Sequence, residues 1–311
     1  MRRISNIALS ALVLSATCLP GLARANTNDI QAFRLGSPAT DFEGANGRYR
    51  LLSTDLAMAF TPTPMHPAET LGRSGASMEV GMRMAQVHAD ARVEGNGTCN
   101  NSADNCRVWV TEGNVESLFL MPMVQVRKGL PFSFEFETKF QYLIHSEMFA
   151  ATAGLRWSLN EGFDFLPDVS VGGQGTRVMG VREIGIITGA LDVTVGKWFS
   201  LGGMAVLAPY AGWQRVWVSA ISEVIDFDPA NELLDNATAD DTIFEDVLIG
   251  GNYFDRFFVG FRFNAYVVQV SGEFTYQPAH KVSAASVSTG NPGFPDQGAT
   301  MTFATKLGLD F

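Results

Sequence analysis

The sequence predicts an all-β protein: a transmembrane antiparallel up-and-down β-barrel of about 12 strands, with 10 and 14 also allowed. Three observations predict this class. Long segments alternate apolar and polar residues over about 11 to 14 positions, whereas a usual globular strand has about 5 or 6. Apart from the N-terminal segment, no uncharged run reaches helical membrane length without interruption. The 31 glycines and 23 phenylalanines suit strands joined by tight turns.

The N-terminal residues have the pattern of an export signal. Arg2 and Arg3 precede an apolar stretch over 4–19, and Ala23-Arg24-Ala25 follows as a small-residue cleavage site. We therefore predict that residues 1–25 are a removed signal peptide. The remaining chain divides into an N-terminal periplasmic or plug segment, 26–47, and a barrel, 48–311.

The alternating segments predict eleven strands, and a twelfth is sought because single-chain barrels normally have an even number. The candidates for the missing strand are 31–35 and 107–111. If the last strand ends in the periplasm, the long connections 220–246 and 278–298 face outward, as does the loop 89–114. The eleven predicted strands are 48–60, 76–88, 115–127, 132–145, 148–160, 166–178, 184–197, 203–219, 247–263, 266–277 and 299–311.

The two faces of these strands differ in chemistry. In 132–145 the apolar face is aromatic and the opposite face is charged. A soluble sandwich would bury the apolar face between shorter strands, whereas a membrane barrel turns it to lipid and keeps polar residues in a wet lumen. The residues predicted to face the lumen are Glu79, Arg83, Glu135, Glu137, Lys139, Arg156, Arg256 and Glu273.

Two short turns predict the register of these charges. A turn at Ser146-Glu147 places Glu137 opposite Arg156, and a turn at Asn264-Ala265 places Arg256 opposite Glu273. Such pairs either fill and stiffen the interior or line a selective path.

The loops contain two further candidate features. Cys99 and Cys106 flank a short polar segment, which in an oxidising compartment predicts a disulfide bond. The loop near 226–241 is acidic, and Asp226, Asp228 and Glu232 are weak candidates for a divalent-cation site. Because their spacing departs from the EF-hand pattern, a solvated acidic loop is the favoured interpretation.

The sequence does not indicate catalysis or a cofactor. The four histidines, His66, His88, His145 and His280, accompany no Gly-x-Ser-x-Gly or His-Glu-x-x-His motif. We therefore predict a protein that is not an enzyme and needs no cofactor. The net charge of −10 also argues against nucleic acid as a partner.

The C-terminal strand carries the resemblance to a known class. Phe303, Leu307, Leu309 and the terminal Phe311 share one face, and this pattern resembles the assembly signal of bacterial outer-membrane β-barrels. The resemblance implies insertion by the barrel-assembly machinery into the cell outer membrane, among outer-membrane lipids and lipopolysaccharide. It leaves the oligomeric state open.

Three functions follow from these predictions. The first is a narrow passive channel, or porin, for small solutes. The alternative is a structural or surface-binding barrel with a filled lumen. An outer-membrane enzyme is the least favoured of the three. Twelve strands lie between the filled small barrels and the open large ones, so size does not decide between the first two.

Overall fold

The structure is a closed antiparallel β-barrel with part of its own chain inside. It is a computed structural model that describes residues 27–93, 106–111, 113, 115–163, 165–203, 205–227, 241–249, 253–281 and 296–310. Within these residues, ten long strands form the barrel, and a short eleventh strand, Phe199–Leu201, pairs with one of them outside the ring. The all-β, antiparallel, closed architecture predicted from the sequence is therefore confirmed, with ten barrel strands where about twelve were predicted.

The strands follow one another around the barrel, with β1 closing against β13 and β6 against β8. Within the last long connection, two strands of two residues each, His280–Lys281 and Asp296–Gln297, pair with one another. The bounds are β1 Ala76–Gln86, β2 Leu118–Gly129, β3 Phe134–Tyr142, β4 Phe149–Ser158, β5 Asp168–Met179, β6 Ile184–Gly196, β7 Phe199–Leu201, β8 Ala205–Ser222, β9 Tyr253–Ala265, β10 Val268–Gln277, β11 His280–Lys281, β12 Asp296–Gln297 and β13 Thr300–Asp310.

The two ends of the barrel differ in the length of their connections. The longest connections, 87–117, 223–252 and 278–299, all leave the same end, which we call the loop end. The first barrel strand begins and the last one ends at the opposite end, which we call the turn end. The two-residue turn Tyr266-Val267 also lies there, with Tyr266 at a φ of 57°.

A helix, α1 (Phe42–Phe60), occupies the interior. Asp41 caps its first turn by accepting a hydrogen bond from the backbone N–H of Gly44 at 3.1 Å. It ends at Thr61, which is extended because Pro62 follows it. All but two of its residues are buried, by the loop-end part of the wall and by the long connections that pack on the helix. A short 3-10 helix, Ala32–Leu35, precedes it.

The prediction of a first strand over 48–60 is wrong, because these residues belong to α1. The barrel begins at Ala76, and the segment inside it extends well beyond residue 47. A helix buried on all sides needs no polar stripe, so its sequence lacks the amphipathic pattern that marks surface helices. The other ten predicted strands correspond to the ten barrel strands, which explains why the total falls below twelve.

Both predicted charge pairs have the wrong register. Arg156 lies opposite Glu135, and Glu137 lies opposite Gly154, because the β3–β4 connection is wider than the predicted two-residue turn. Leu143 donates its N–H to Met148 O, which closes this wider loop. Glu273 lies opposite Gly260, because the β9–β10 turn falls at Tyr266-Val267 and not at Asn264-Ala265. Both shifts are even, so every side chain keeps its predicted face.

The outward face of the barrel is apolar. Side chains such as Phe136, Leu155, Val259, Phe274 and Leu307 are each more than 40 % exposed, and they alternate with buried polar residues on the same strands. This is the reverse of a soluble sandwich and matches the lipid-facing band of a membrane barrel. Because the strands close into a ring, their backbone groups are paired within the sheet.

Candidate functional site: the filled lumen and the loop end

The N-terminal segment passes lengthwise through the lumen. It starts at the loop end, where Asn28 donates its backbone N–H to His145 O at 3.1 Å. From there α1 descends into the barrel, and residues 61–71 continue towards the turn end. The segment leaves beside Gly129, where a Cβ would lie 1.7 Å from Gly72 O, so only glycine leaves room for the chain.

Side chains of the wall hold the backbone carbonyls of this segment. Seven wall residues donate hydrogen bonds to the carbonyls of Met58, Phe60, Thr61, Pro62, Thr63, Pro64 and Pro67. The distances include 2.7 Å from Arg83 to Thr61 O and 2.9 Å from Lys139 Nζ to Thr63 O. The seven donors are Arg83, Lys139, Gln141, Arg156, Gln174, Gln214 and Arg256.

Acidic wall residues contact the few donors that the segment offers. Glu273 accepts the backbone N–H of Met65 at 3.0 Å and the hydroxyl of Thr63. His66 Nε2 lies 3.0 Å from Glu137 Oε2. Nearer the turn end, Glu135 accepts the backbone N–H of Leu71 at 3.0 Å. The wall therefore offers acceptors to donors of the segment as well as donors to its carbonyls.

A second set of charges fills the lumen beside the segment. Arg127 lies between Glu135 at 3.3 Å and Glu79 at 3.7 Å, and Lys306 pairs with Glu79. Gln269 donates to the same carboxylate at 2.5 Å. All of these side chains are buried. Removing one partner from such a network would leave a buried charge unpaired, which costs several kcal/mol.

The structure places all eight residues predicted to face the lumen on the inner face of the wall, and each is buried. Glu79 contacts the wall residues Ser77, Gln269 and Lys306. The other seven predicted residues contact the N-terminal segment: Arg83, Glu135, Glu137, Lys139, Arg156, Arg256 and Glu273. Most of the predicted lumen residues therefore bind the N-terminal segment.

The sequence interpretation missed several equally important residues. Arg127, Asp192 and Lys306 carry charge on the inner face, and the glutamines of β5 and β8 donate to the segment. Strand alternation alone would have found them, because each occupies an inward position. His66 carried no such signal, since it precedes the first barrel strand.

At the loop end, α1 is joined to the outer connections. Asp55 accepts hydrogen bonds from the backbone N–H of His88 at 2.9 Å and from Trp109 Nε1 at 3.0 Å. His88 Nδ1 lies 3.2 Å from the other oxygen of Asp55, and Gln297 Nε2 lies 3.5 Å from it. One carboxylate on the helix therefore contacts two of the three long connections.

The third long connection contacts the same helix. The rings of Tyr49 and Phe244 stack with centroids 4.7 Å apart. Arg50 Nη2 lies 2.5 Å from Glu245 Oε2, and Asn46 Oδ1 accepts the backbone N–H of Glu245 at 2.7 Å. Helix and loops thus form one packed layer across the loop end, which we call the outer platform: residues 27–60 with the described parts of the three connections.

His88 lies just beyond the end of β1, and its surroundings favour the charged imidazolium. The pKa of His88 is raised above its ordinary value, chiefly by the hydrogen bond to Asp55, against a smaller opposing effect of burial. A hydrogen bond with the backbone of Ala299 acts in the same direction as Asp55.

The remaining predicted features fall partly outside the described residues. Cys106 is buried, but Cys99 lies outside, so the disulfide stays a prediction. Asp228 and Glu232 also lie outside, as does Phe311, whereas Phe303, Leu307 and Leu309 are exposed on the outer face of β13. Among the described residues, no three metal-binding side chains come together.

No helix in the described part of the chain combines the length and apolar character needed to cross a membrane. The fold and the filled lumen together define the class: an antiparallel barrel of the outer-membrane type with an internal N-terminal segment.

Comparisons with known proteins identify no particular family. No family model and no curated protein matches the chain. Among solved structures, it is similar to the attachment invasion locus protein Ail of Yersinia pestis, with 10 % identity and a TM-score of 0.26 over 77 % of this chain and 99 % of that one.

Two further solved structures show similarity. The outer membrane protease OmpT of Escherichia coli has 8 % identity and a TM-score of 0.36 over 76 % of this chain and 95 % of that one. Neisserial surface protein A has 7 % identity and a TM-score of 0.26 over 76 % and 96 %.

Proposed function

We propose that this protein is an outer-membrane barrel with a filled lumen, whose outer platform binds a partner at the cell surface. One observation carries the proposal: residues 58–71 follow the lumen from its loop end towards its turn end and are bonded to the wall on several sides. This favours the surface-binding alternative over a passive channel, which would require the segment to leave.

The same proposal includes location and assembly. The signal peptide 1–25 directs export, and the barrel-assembly machinery inserts the chain with its loop end outward. The apolar outer face then contacts outer-membrane lipids and lipopolysaccharide. We propose no catalytic role, because the contacts of His88 and Asp55 join the helix to the loops.

Conductance in a planar lipid bilayer tests the proposal. The purified protein is expected to stay electrically silent, and parallel gels of boiled and unboiled samples must differ in mobility to show that a folded barrel was used. Discrete conductance steps from the unaltered protein would contradict a filled lumen and support the channel.

A matched pair of variants sharpens this test. Asp55→Ala removes the carboxylate that joins α1 to two outer connections, so it is expected to produce intermittent conductance. Asp90→Ala removes an exposed carboxylate two residues from His88 and is expected to stay silent. Equal behaviour of the two variants would mean that Asp55 does not hold the segment in place.

A further inference from the structure

The direction of the N-terminal segment has a topological consequence. Its first described residues lie at the loop end: Asp29 accepts hydrogen bonds from Ser146 and Glu147 of the β3–β4 connection, at 2.9 and 2.7 Å. Gln31 donates its backbone N–H to Val110 O of the long β1–β2 connection at 2.8 Å. The chain then reaches the turn end before β1 begins. It therefore crosses the barrel once, inside the lumen, before the wall starts.

We propose that the lumen wall is a binding site for an extended, proline-rich polypeptide, and that the protein uses it to carry its own N-terminus to the outer surface. The outward orientation of the loop end rests on the proposed function. The internal crossing rests only on contacts within the molecule.

Contacts along β3 show how the wall follows the chain. The successive inward residues of this strand are Gln141, Lys139, Glu137 and Glu135. They contact positions 60, 63, 66 and 71 of the segment in the same order. A single strand thus contacts about twelve residues of chain, which is the behaviour of a peptide path and not of an isolated pocket.

The polar groups of the lumen wall bind the backbone of the segment more than its side chains. Proline has a carbonyl but no backbone N–H, so Pro62, Pro64 and Pro67 are acceptors only. The wall facing them offers mostly donors, the guanidinium, ammonium and amide groups of the seven donor residues. Such contacts recognise the positions of the backbone carbonyls and depend little on which side chains the segment carries. Proline also favours the extended conformation that leaves carbonyls accessible.

Epitope tags in intact cells test the crossing. One tag is inserted between Asn26 and Thr27, one in the outer connection between 233 and 234, and one at the turn end between Gly202 and Gly203. Antibody binding is measured before and after the outer membrane is permeabilised. The N-terminal tag is expected to be accessible in intact cells together with the loop tag.

The three tags separate the two hypotheses. If the N-terminal tag behaves like the turn-end tag, the crossing is refuted, whatever the orientation of the barrel. If the N-terminal and loop tags are both hidden while the turn-end tag is exposed, the barrel is inverted: the proposed function and display at the outer surface fail, and the internal crossing stands.

Two buried positions test whether the wall reads carbonyls. Lys139→Met removes the donor to Thr63 O and Pro64 O, and it is expected to lower exposure of the N-terminal tag about tenfold relative to the loop tag. Met65→Leu changes only a buried segment side chain of similar volume and is expected to leave exposure within about twofold. Gel mobility and the loop tag confirm that each barrel has folded. A loss with Met65→Leu as large as with Lys139→Met would overturn recognition through the main chain.

Discussion

Replacing Asp55 by alanine should destabilise the outer platform by about 3 kcal/mol. The carboxylate is 2 % exposed and accepts hydrogen bonds from Trp109 Nε1 and from the backbone N–H of His88. Each buried donor left without a partner costs about 1–3 kcal/mol, which for two donors gives about 2–6 kcal/mol. The His88 side chain adds little to this sum, because it is 23 % exposed and water replaces its partner.

The assay is a urea titration of the protein folded into lipid vesicles, followed by tryptophan fluorescence, which yields the free energy of unfolding. Asp90→Ala is the matched control, since Asp90 is exposed, and it should stay within about 0.5 kcal/mol of the unaltered protein. A loss of less than about 1 kcal/mol for Asp55→Ala would show that these contacts do not hold α1 to the loops.

Three other predictions concern pH, the lipid face and the cysteines. The raised pKa of His88 means that the stability from its charged pair with Asp55 is fully present below about pH 6.5 and is lost as pH rises through the folded-state pKa; an NMR titration giving a pKa at or below that of free histidine would contradict this. Val259→Arg, on the outer face of β9, should cost about 2–4 kcal/mol in lipid vesicles, while Val224→Arg in the loop beyond β8 should cost less than about 0.5 kcal/mol, and equal costs would mean that β9 does not face hydrocarbon. Peptide mapping without reductant should recover Cys99 and Cys106 in one linked fragment, and separate unmodified fragments would exclude the disulfide.

The barrel could be predicted from the sequence because its signal is local. Strand alternation has a period of two, so each strand such as β3 or β9 identifies its own inner and outer faces without reference to its neighbours. The errors in register preserve these faces, since both shifts are even. Turn geometry decided the register, and the positive φ of Tyr266 at the β9–β10 turn is not a feature that this residue type predicts.

The internal segment could not be predicted in the same way. Most of residues 42–60 are enclosed by the loop-end part of the wall together with the outer connections, so polar residues such as Arg48 and Asp55 are buried together with Leu52 and Leu56. A helix without an exposed face needs no regular spacing of polar residues. Its apolar sequence therefore does not distinguish it from a buried strand. The partners of His66 and of the three prolines are contributed by strands far away in sequence, and only the folded barrel brings them together.

The internal crossing also constrains the order in which the molecule can be built. β1 and β13 are the first and last strands of the wall, and their pairing joins the two ends of the sheet. Once that seam has formed, residues 27–75 could enter only by threading lengthwise through an opening already narrowed by charged side chains. We therefore expect the segment to be in place before β1 and β13 pair, while the sheet is still open. The last strand to be synthesised, β13, then pairs with β1 and encloses the N-terminal segment in the lumen.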